Sequence, residues 1–122
     1  MPVLMVFLGG MIGAPLRYLT DKAVQARHDS VFPVGTLTVN VVGSFILGAL
    51  AGTAAAHGLP SSVMLLLGTG LCGGLTTFST FSFETVRLLE DGSLAEAGLN
   101  ALGSLLLGLA AAAAGYVLLT WL

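Results

Sequence analysis

The chain has 122 residues, of which 56% are hydrophobic and only 8% are charged. Soluble domains carry roughly 25% charged residues, so this composition excludes an ordinary soluble domain and indicates an integral membrane protein. A net charge of -2 without any basic patch gives no support for nucleic-acid binding. The single cysteine excludes an intramolecular disulfide.

Four membrane-spanning helices are predicted within one all-α domain of residues 1–122. The stretches 30–83 and 97–122 contain no formal charge, and a spanning helix needs about 20 apolar residues. The expected spans are residues 3–19, 35–56, 62–89 with a break at 73–77, and 94–121. Since four short helices leave little room for a pore of their own, we expect an oligomer with its function at subunit contacts.

The first span contains two glycines whose spacing suits close helix packing. Gly9 and Gly13 form a small-xxx-small pair that lets a second helix approach. Pro15 is expected to bend or loosen the end of this span. Arg17 follows near the boundary, where its side chain can reach the membrane interface, either as a simple anchor or as part of a functional vestibule.

The second span places polar and small residues on one helical face. Thr36, Asn40, Gly43 and Ser44 have the spacing of such a face. An asparagine near the middle of a membrane needs partners, and an interhelical hydrogen bond there contributes about 0.6–2 kcal/mol. Because Thr36 and Ser44 lie one turn away on either side, the pattern favours a pore-lining role over a purely structural contact.

The third span is too long to be one straight helix. From Ser62 to Leu89 it would measure roughly 42 Å, against a hydrocarbon core of about 30 Å. Gly73-Gly74 and Thr76-Thr77 interrupt it. Irregular backbone at membrane depth is tolerated where protein, water or an ion satisfies it, and such breaks commonly mark ion or substrate sites.

Aromatic and hydroxyl side chains follow the break. Phe78 and Phe81 are three residues apart and share a helical face, as do Thr77, Thr80 and Glu84. Phenylalanines in membrane helices commonly pack or face lipid, and hydroxyls commonly bond back to the preceding turn. Their combination at one break indicates a site.

The fourth span follows an acidic loop. Asn100, Ser104 and Gly108 lie on one face of it, and Tyr116 and Trp121 stand towards its end. Tyrosine and tryptophan are enriched at the membrane interface, so this span is expected to end there.

Three segments, GGMIGAPLRY, GTLTVNVVGSFILG and GLCGGLTTFSTFSFE, resemble in order the motifs of the Fluc fluoride channels, also called the CrcB family. With the fourth span, the resemblance covers nearly the whole chain. It implies a dimer of two four-helix subunits in opposite orientations, with two separate fluoride pathways along their interface. The implied function is passive export of F⁻ across a prokaryotic plasma or inner membrane, which relieves fluoride toxicity, and not an enzymatic activity.

The resemblance also implies residue roles. Phe78 and Phe81 would line the pathway with their ring edges towards the anion, and Asn40 would donate a hydrogen bond to it. Backbone carbonyls of Gly73 and Thr76 would hold a structural sodium ion at the dimer centre. The other implied residues are the polar track of Thr36, Ser79, Thr80 and Ser104, the carboxylate of Glu84 near one end, and Arg17 by the aqueous vestibule.

These residue types suit anion conduction. Moving an anion into a low-dielectric interior without partners costs tens of kcal/mol. Amide and hydroxyl donors, together with the positive edges of aromatic rings, replace its water without binding it as a fixed charge would. Conduction needs a site that is favourable enough to enter and weak enough to leave.

Two questions stay open at the level of sequence. With both termini on one side, all four basic residues fall on the other, so the positive-inside rule favours one orientation. A homodimer is the expectation, and pairing with an oppositely oriented relative is the alternative. The alternative function is a proton-coupled small multidrug exporter, which typically has a carboxylate in its first span, where this chain has no acid. A purely structural membrane subunit is the third interpretation.

Overall fold

The computed structural model describes residues 2–27, 34–76 and 79–122, and only the backbone of residues 79 and 80. Nearly all of these residues are helical, which confirms an all-helical protein. Three helices are long and apolar enough to cross a membrane, so the chain is a multi-pass membrane protein. The helices are α1 (Pro2–Ala26), α2 (Val34–His57), α3 (Ser61–Leu75), α4 (Ser79–Glu90) and α5 (Leu94–Trp121).

Helix α1 is longer than the span expected for it. It continues past residue 19 to Ala26, and Pro15 lies inside it. A proline removes one intrahelical hydrogen bond, but here the helix continues on both sides of the ring. Pro15 therefore does not mark the end of the helix, and the polar residues after Leu19 extend it.

Two helix pairs pack backbone against backbone. A Cβ added to Gly9 would fall on the carbonyl oxygen of Leu66, so α1 touches the backbone of α3 there. A Cβ added to Gly48 would fall on the carbonyl oxygen of Ala112, so α2 touches α5 in the same way. Small residues allow such close approach in membranes, and they fix which faces of these helices meet.

Helix α3 changes its winding along its length. Its residues Met64–Cys72 form a π-helical stretch, and Gly73–Leu75 return to α-helix. Thr76 is extended, with φ -84° and ψ 161°, and its backbone N–H and hydroxyl both donate to the Cys72 carbonyl, at 2.9 and 2.8 Å. The expected break at 73–77 continues onto residue 77, which lies outside the described residues.

A tight turn joins α4 to α5. The Ser93 N–H donates to the Leu88 carbonyl at 2.8 Å, and the Gly92 N–H donates to the Leu89 carbonyl at 3.1 Å. These two bonds form a Schellman motif, which needs a left-handed residue, and Gly92 supplies it with φ +79°. The turn reverses the chain and brings the first part of α5 against α4, where Leu88 and Ala97 are buried.

The buried core is small. The buried apolar residues of the described chain include Val39 and Cys72, whereas many leucines of α5 are more than half exposed. Large exposed apolar surface is expected for a chain whose surroundings are lipid or a partner subunit.

Candidate functional site

An open groove of about 940 Å³ lies between α2, α3, α4 and α5. None of the described residues that line it carries a formal charge. The groove therefore offers neutral hydrogen-bonding groups inside an apolar wall. Its polar side chains are those of Asn40, Ser44, Thr69, Thr76 and Ser104.

The groove gathers several of the residues expected to form the site. Asn40 comes from α2, Gly73 and Thr76 from the end of α3, Phe81 from α4 and Ser104 from α5. They are distant in sequence, and the folding of four helices brings them to one surface. An amide, hydroxyls and an aromatic ring thus share one cavity.

Thr36 and Glu84 lie together outside the lining of the groove. Thr36 is only 3% exposed, and its side chain is within hydrogen-bonding reach of the Glu84 carboxyl. The Oε1 atom of Glu84 is buried and has no hydrogen-bond partner among the described residues. Asp21 lies close to both, because a Cβ added to Gly35 would meet its Oδ1 atom. Two carboxyl groups therefore face the buried start of α2.

The other expected residues fall elsewhere. Arg17 is half-buried on α1 and does not line the groove. Ser79 and Thr80 lie at the start of α4, where only the backbone is described. Phe78 lies outside the described residues.

Sequence reasoning did not assign Thr69 or Cys72 to the site, although both line the groove. Thr69 precedes Thr76 by two helical turns, and this spacing is the only sequence feature that places Thr69 on the same side of the helix. Ser44 was placed on the face of Asn40 but given no role. In the structure it faces α5 at Gly108, where an added Cβ would lie 3.5 Å from the Ser44 Oγ.

The end of α3 suits a small cation. The last carbonyls of a helix have no intrahelical N–H partner, and Gly73 lies in the last turn of α3. A Cβ added to Gly73 would meet no atom of the described residues within 4 Å, and Gly73 lines the groove. Carbonyls freed at helix ends coordinate sodium in other membrane proteins. The backbone oxygens here fit the same role.

The fold and the groove define a multi-pass helical membrane protein with an open cavity between its helices, whose described lining is mostly apolar, carries no charge and includes several hydrogen-bonding groups. Residues 4–116 match the model of the family described as CrcB-like protein, Camphor Resistance (CrcB). The chain belongs to the CrcB family.

Three curated relatives are similar to this chain over nearly their whole length. A protein of Streptomyces avermitilis named Fluoride-specific ion channel FluC 1 is 56% identical over 112 residues, covering 92% of this chain and 90% of the relative. The protein of the same name from Frankia casuarinae is 55% identical over 120 residues, covering 94% and 93%. The Fluoride-specific ion channel FluC of a Methylobacterium strain is 44% identical over 117 residues, covering 95% and 94%.

Proposed function

We propose that the protein is a fluoride-selective channel, not an enzyme, and that it lets F⁻ leave the cell passively and so relieves fluoride toxicity. The names of its relatives support this function. The observation that carries it is the groove, which combines amide and hydroxyl groups with the Phe81 ring and has no charged residue in its described lining. Such weak donors replace the water of an anion without trapping it.

The proposed channel is a dimer of two oppositely oriented copies with two pathways. In one protomer the groove is open along its length, and leucines on its rim, Leu102, Leu105 and Leu109, are 57–65% exposed. An anion in that open groove would face lipid, where its transfer costs tens of kcal/mol. A second copy over this apolar rim closes the groove, and the antiparallel arrangement gives each copy an equivalent pathway.

We propose that α3 and α4 together make one interrupted crossing, so that the chain crosses the membrane four times. Helix α3 is roughly 22 Å long and α4 roughly 18 Å, and each is shorter than a hydrocarbon core of about 30 Å. In the dimer, a structural sodium ion held by the carbonyls of Gly73 and Thr76 would satisfy freed backbone groups. Its charge would also lower the energy of an anion nearby.

The proposed pathway uses the groove and both of its ends. Asn40 and Ser104 donate hydrogen bonds, and Phe81 presents its ring edge. We propose that Phe78, Ser79 and Thr80 also contribute to the pathway, that Thr36 and Glu84 serve one end of it, and that Arg17 attracts anions at the aqueous vestibule.

The proposed assembly is a homodimer in the plasma membrane of a prokaryote. The basic residues of the chain lie in the second half of α1 or just after it and near the end of α4, and this bias supports pairing with an oppositely oriented relative as the alternative. Expression of this chain alone separates the two, because a heterodimer requires a second polypeptide.

Ion flux from reconstituted vesicles tests the function. Proteoliposomes loaded with potassium fluoride are diluted into fluoride-free buffer with valinomycin, and efflux is followed with a fluoride electrode. We expect rapid fluoride efflux, far slower chloride efflux from matched vesicles, and no requirement for a proton gradient. Equal chloride efflux, or dependence on a proton gradient as in a multidrug exporter, would refute the proposal.

A further inference from the structure

Behind the groove, a chain of hydrogen bonds joins two of its lining residues. The Ser104 hydroxyl donates to the Oδ1 atom of Asn100 at 3.3 Å. The Asn100 Nδ2 donates to the Thr85 hydroxyl oxygen at 2.7 Å, and the Thr85 hydroxyl donates to the Phe81 carbonyl at 2.8 Å. Ser104 and Phe81 line the groove, whereas Asn100 is only 1% exposed and does not.

The direction of this chain follows from the donors available. A hydroxyl has one hydrogen, and Thr85 gives its hydrogen to the Phe81 carbonyl. Towards Asn100, Thr85 can then only accept, so the amide NH₂ faces Thr85 and the amide oxygen faces Ser104. The Ser104 hydrogen consequently points to buried Asn100 and not into the groove.

Asn100 also lies in a locally altered part of α5. Leu99–Gly103 form a π-helical stretch that contains Asn100 and ends just before Ser104. Short π-helical segments are frequent at functional sites, and this one carries the only fully buried amide of the described chain.

We propose that Asn100 is a positioning residue for anion passage, because it holds the hydroxyl hydrogen of Ser104 away from the groove. An anion that uses Ser104 as a donor must first take that hydrogen from the Asn100 carbonyl. This inference rests on the proposed function and names a residue outside the groove that acts through Ser104.

The consequence is a weaker anion site. Withdrawing the Ser104 hydrogen leaves the buried Asn100 Oδ1 without a donor, and buried acceptors without partners are unfavourable. The anion therefore gains less at Ser104 than it would from an uncommitted hydroxyl. A weak site releases its ion readily, as conduction requires.

The first test removes the competing acceptor. Asn100→Leu keeps the branched shape but has no polar atom, so the Ser104 hydrogen becomes available to the groove. We expect the fluoride concentration that gives half-maximal initial efflux to fall about five-fold, the value of one ordinary hydrogen bond. In a Ser104→Ala background, Asn100→Leu should cause no such shift, because the hydroxyl through which it acts is gone.

The second test removes a hydrogen-bond partner of the Asn100 amide and leaves Asn100 itself unchanged. Thr85→Val removes the acceptor of the Asn100 NH₂, which can then turn towards Ser104 and free the hydroxyl hydrogen. The half-maximal concentration should fall as in Asn100→Leu. Thr53→Val is the matched control, since Thr53 makes the same bond to the carbonyl four residues earlier, at 2.9 Å, on a helix that lacks this chain.

The outcomes separate this inference from the function it rests on. A wild type that passes no fluoride overturns both. A wild type that passes fluoride, with unchanged concentration dependence in Asn100→Leu, overturns the inference alone and means that Ser104 finds another acceptor. An equal shift with and without Ser104 assigns Asn100 to helix packing and also overturns it. If Asn100→Leu does not assemble, Thr85→Val against Thr53→Val decides the question.

Discussion

Two adjacent glycines at the end of α3 have opposite surroundings. A Cβ added to Gly74 would lie 3.0 Å from the Ala14 backbone nitrogen and 3.1 Å from the Gly10 carbonyl oxygen, both in α1. A Cβ added to Gly73, which lines the groove, would meet no atom of the described residues within 4 Å. One substitution, glycine to alanine, therefore tests helix packing at position 74 and the proposed subunit interface at position 73.

The structure gives the expected magnitudes. The neighbours of Gly74 are backbone atoms that no rotamer change can move, so α1 and α3 must separate, and such overpacking costs about 1–3 kcal/mol. Alanine also favours the helix over glycine by about 1 kcal/mol, and Gly73 has helical angles of -62° and -39°. Gly74→Ala should lose up to roughly 2 kcal/mol net of protomer stability, whereas Gly73→Ala should lose none.

Three measurements distinguish the variants. Unfolding in dodecyl maltoside titrated with SDS, followed by circular dichroism, reports helix packing. Light scattering after size exclusion reports the dimer fraction, and fluoride efflux reports the pathway. We expect a lower unfolding midpoint for Gly74→Ala. Gly73→Ala should keep its helices but lose dimer and efflux, because its methyl group would stand between the two copies beside the proposed sodium ligands.

Either of two results would refute this reasoning. Equal losses of unfolding midpoint in both variants would mean that the two glycines do not face different surroundings. Wild-type dimer fraction and efflux in Gly73→Ala would mean that the groove is not covered by a second copy.

Three further predictions concern the pathway and its ion. Phe81→Ile, and likewise Phe78→Ile, should reduce fluoride efflux roughly three-fold with the dimer intact, because apolar bulk is kept and the ring edge is lost; unchanged efflux in both would make them packing residues. Asn40→Ala should lower efflux roughly ten-fold, the value of a hydrogen bond to a charged group, and intact efflux would make Asn40 a helix contact only. Exchanging sodium for N-methylglucamine throughout purification should lower the thermal stability of the dimer, and added sodium should restore it; a stability indifferent to sodium contradicts the cation site.

Much of the fold follows from local signals in the sequence. Uncharged apolar stretches predict the membrane helices, and the loop with Gly92 ends α4 because glycine adopts the left-handed conformation that the turn requires. The spacing of Asn40 and Ser44 predicts that they share a face, and both line the groove. Each of these features depends on a single helix or a single turn, so the local sequence pattern is enough to predict it.

Contacts between helices could not be predicted in the same way. The bond between Asn100 and Thr85 joins residues 15 positions apart, and it forms only because the α4–α5 turn sets how far one helix is shifted along the other. The presence of Thr69 in the groove depends on the rotation of α3, whose π-helical winding changes which residues share a face. The continuation of α1 through Pro15 is likewise not predicted by the local helix-breaking preference of proline.

The distribution of glycines explains why one side of the protomer is left uncovered. Gly9 of α1 and Gly74 of α3 let one face of α3 pack directly against the backbone of α1. Gly48 lets one face of α2 pack against α5 in the same way. The face of α3 that includes Thr69 and Gly73 borders the groove. Polar groups exposed in such a groove are unfavourable against lipid, so the same close contacts that build the protomer make a second copy the natural cover for its pathway.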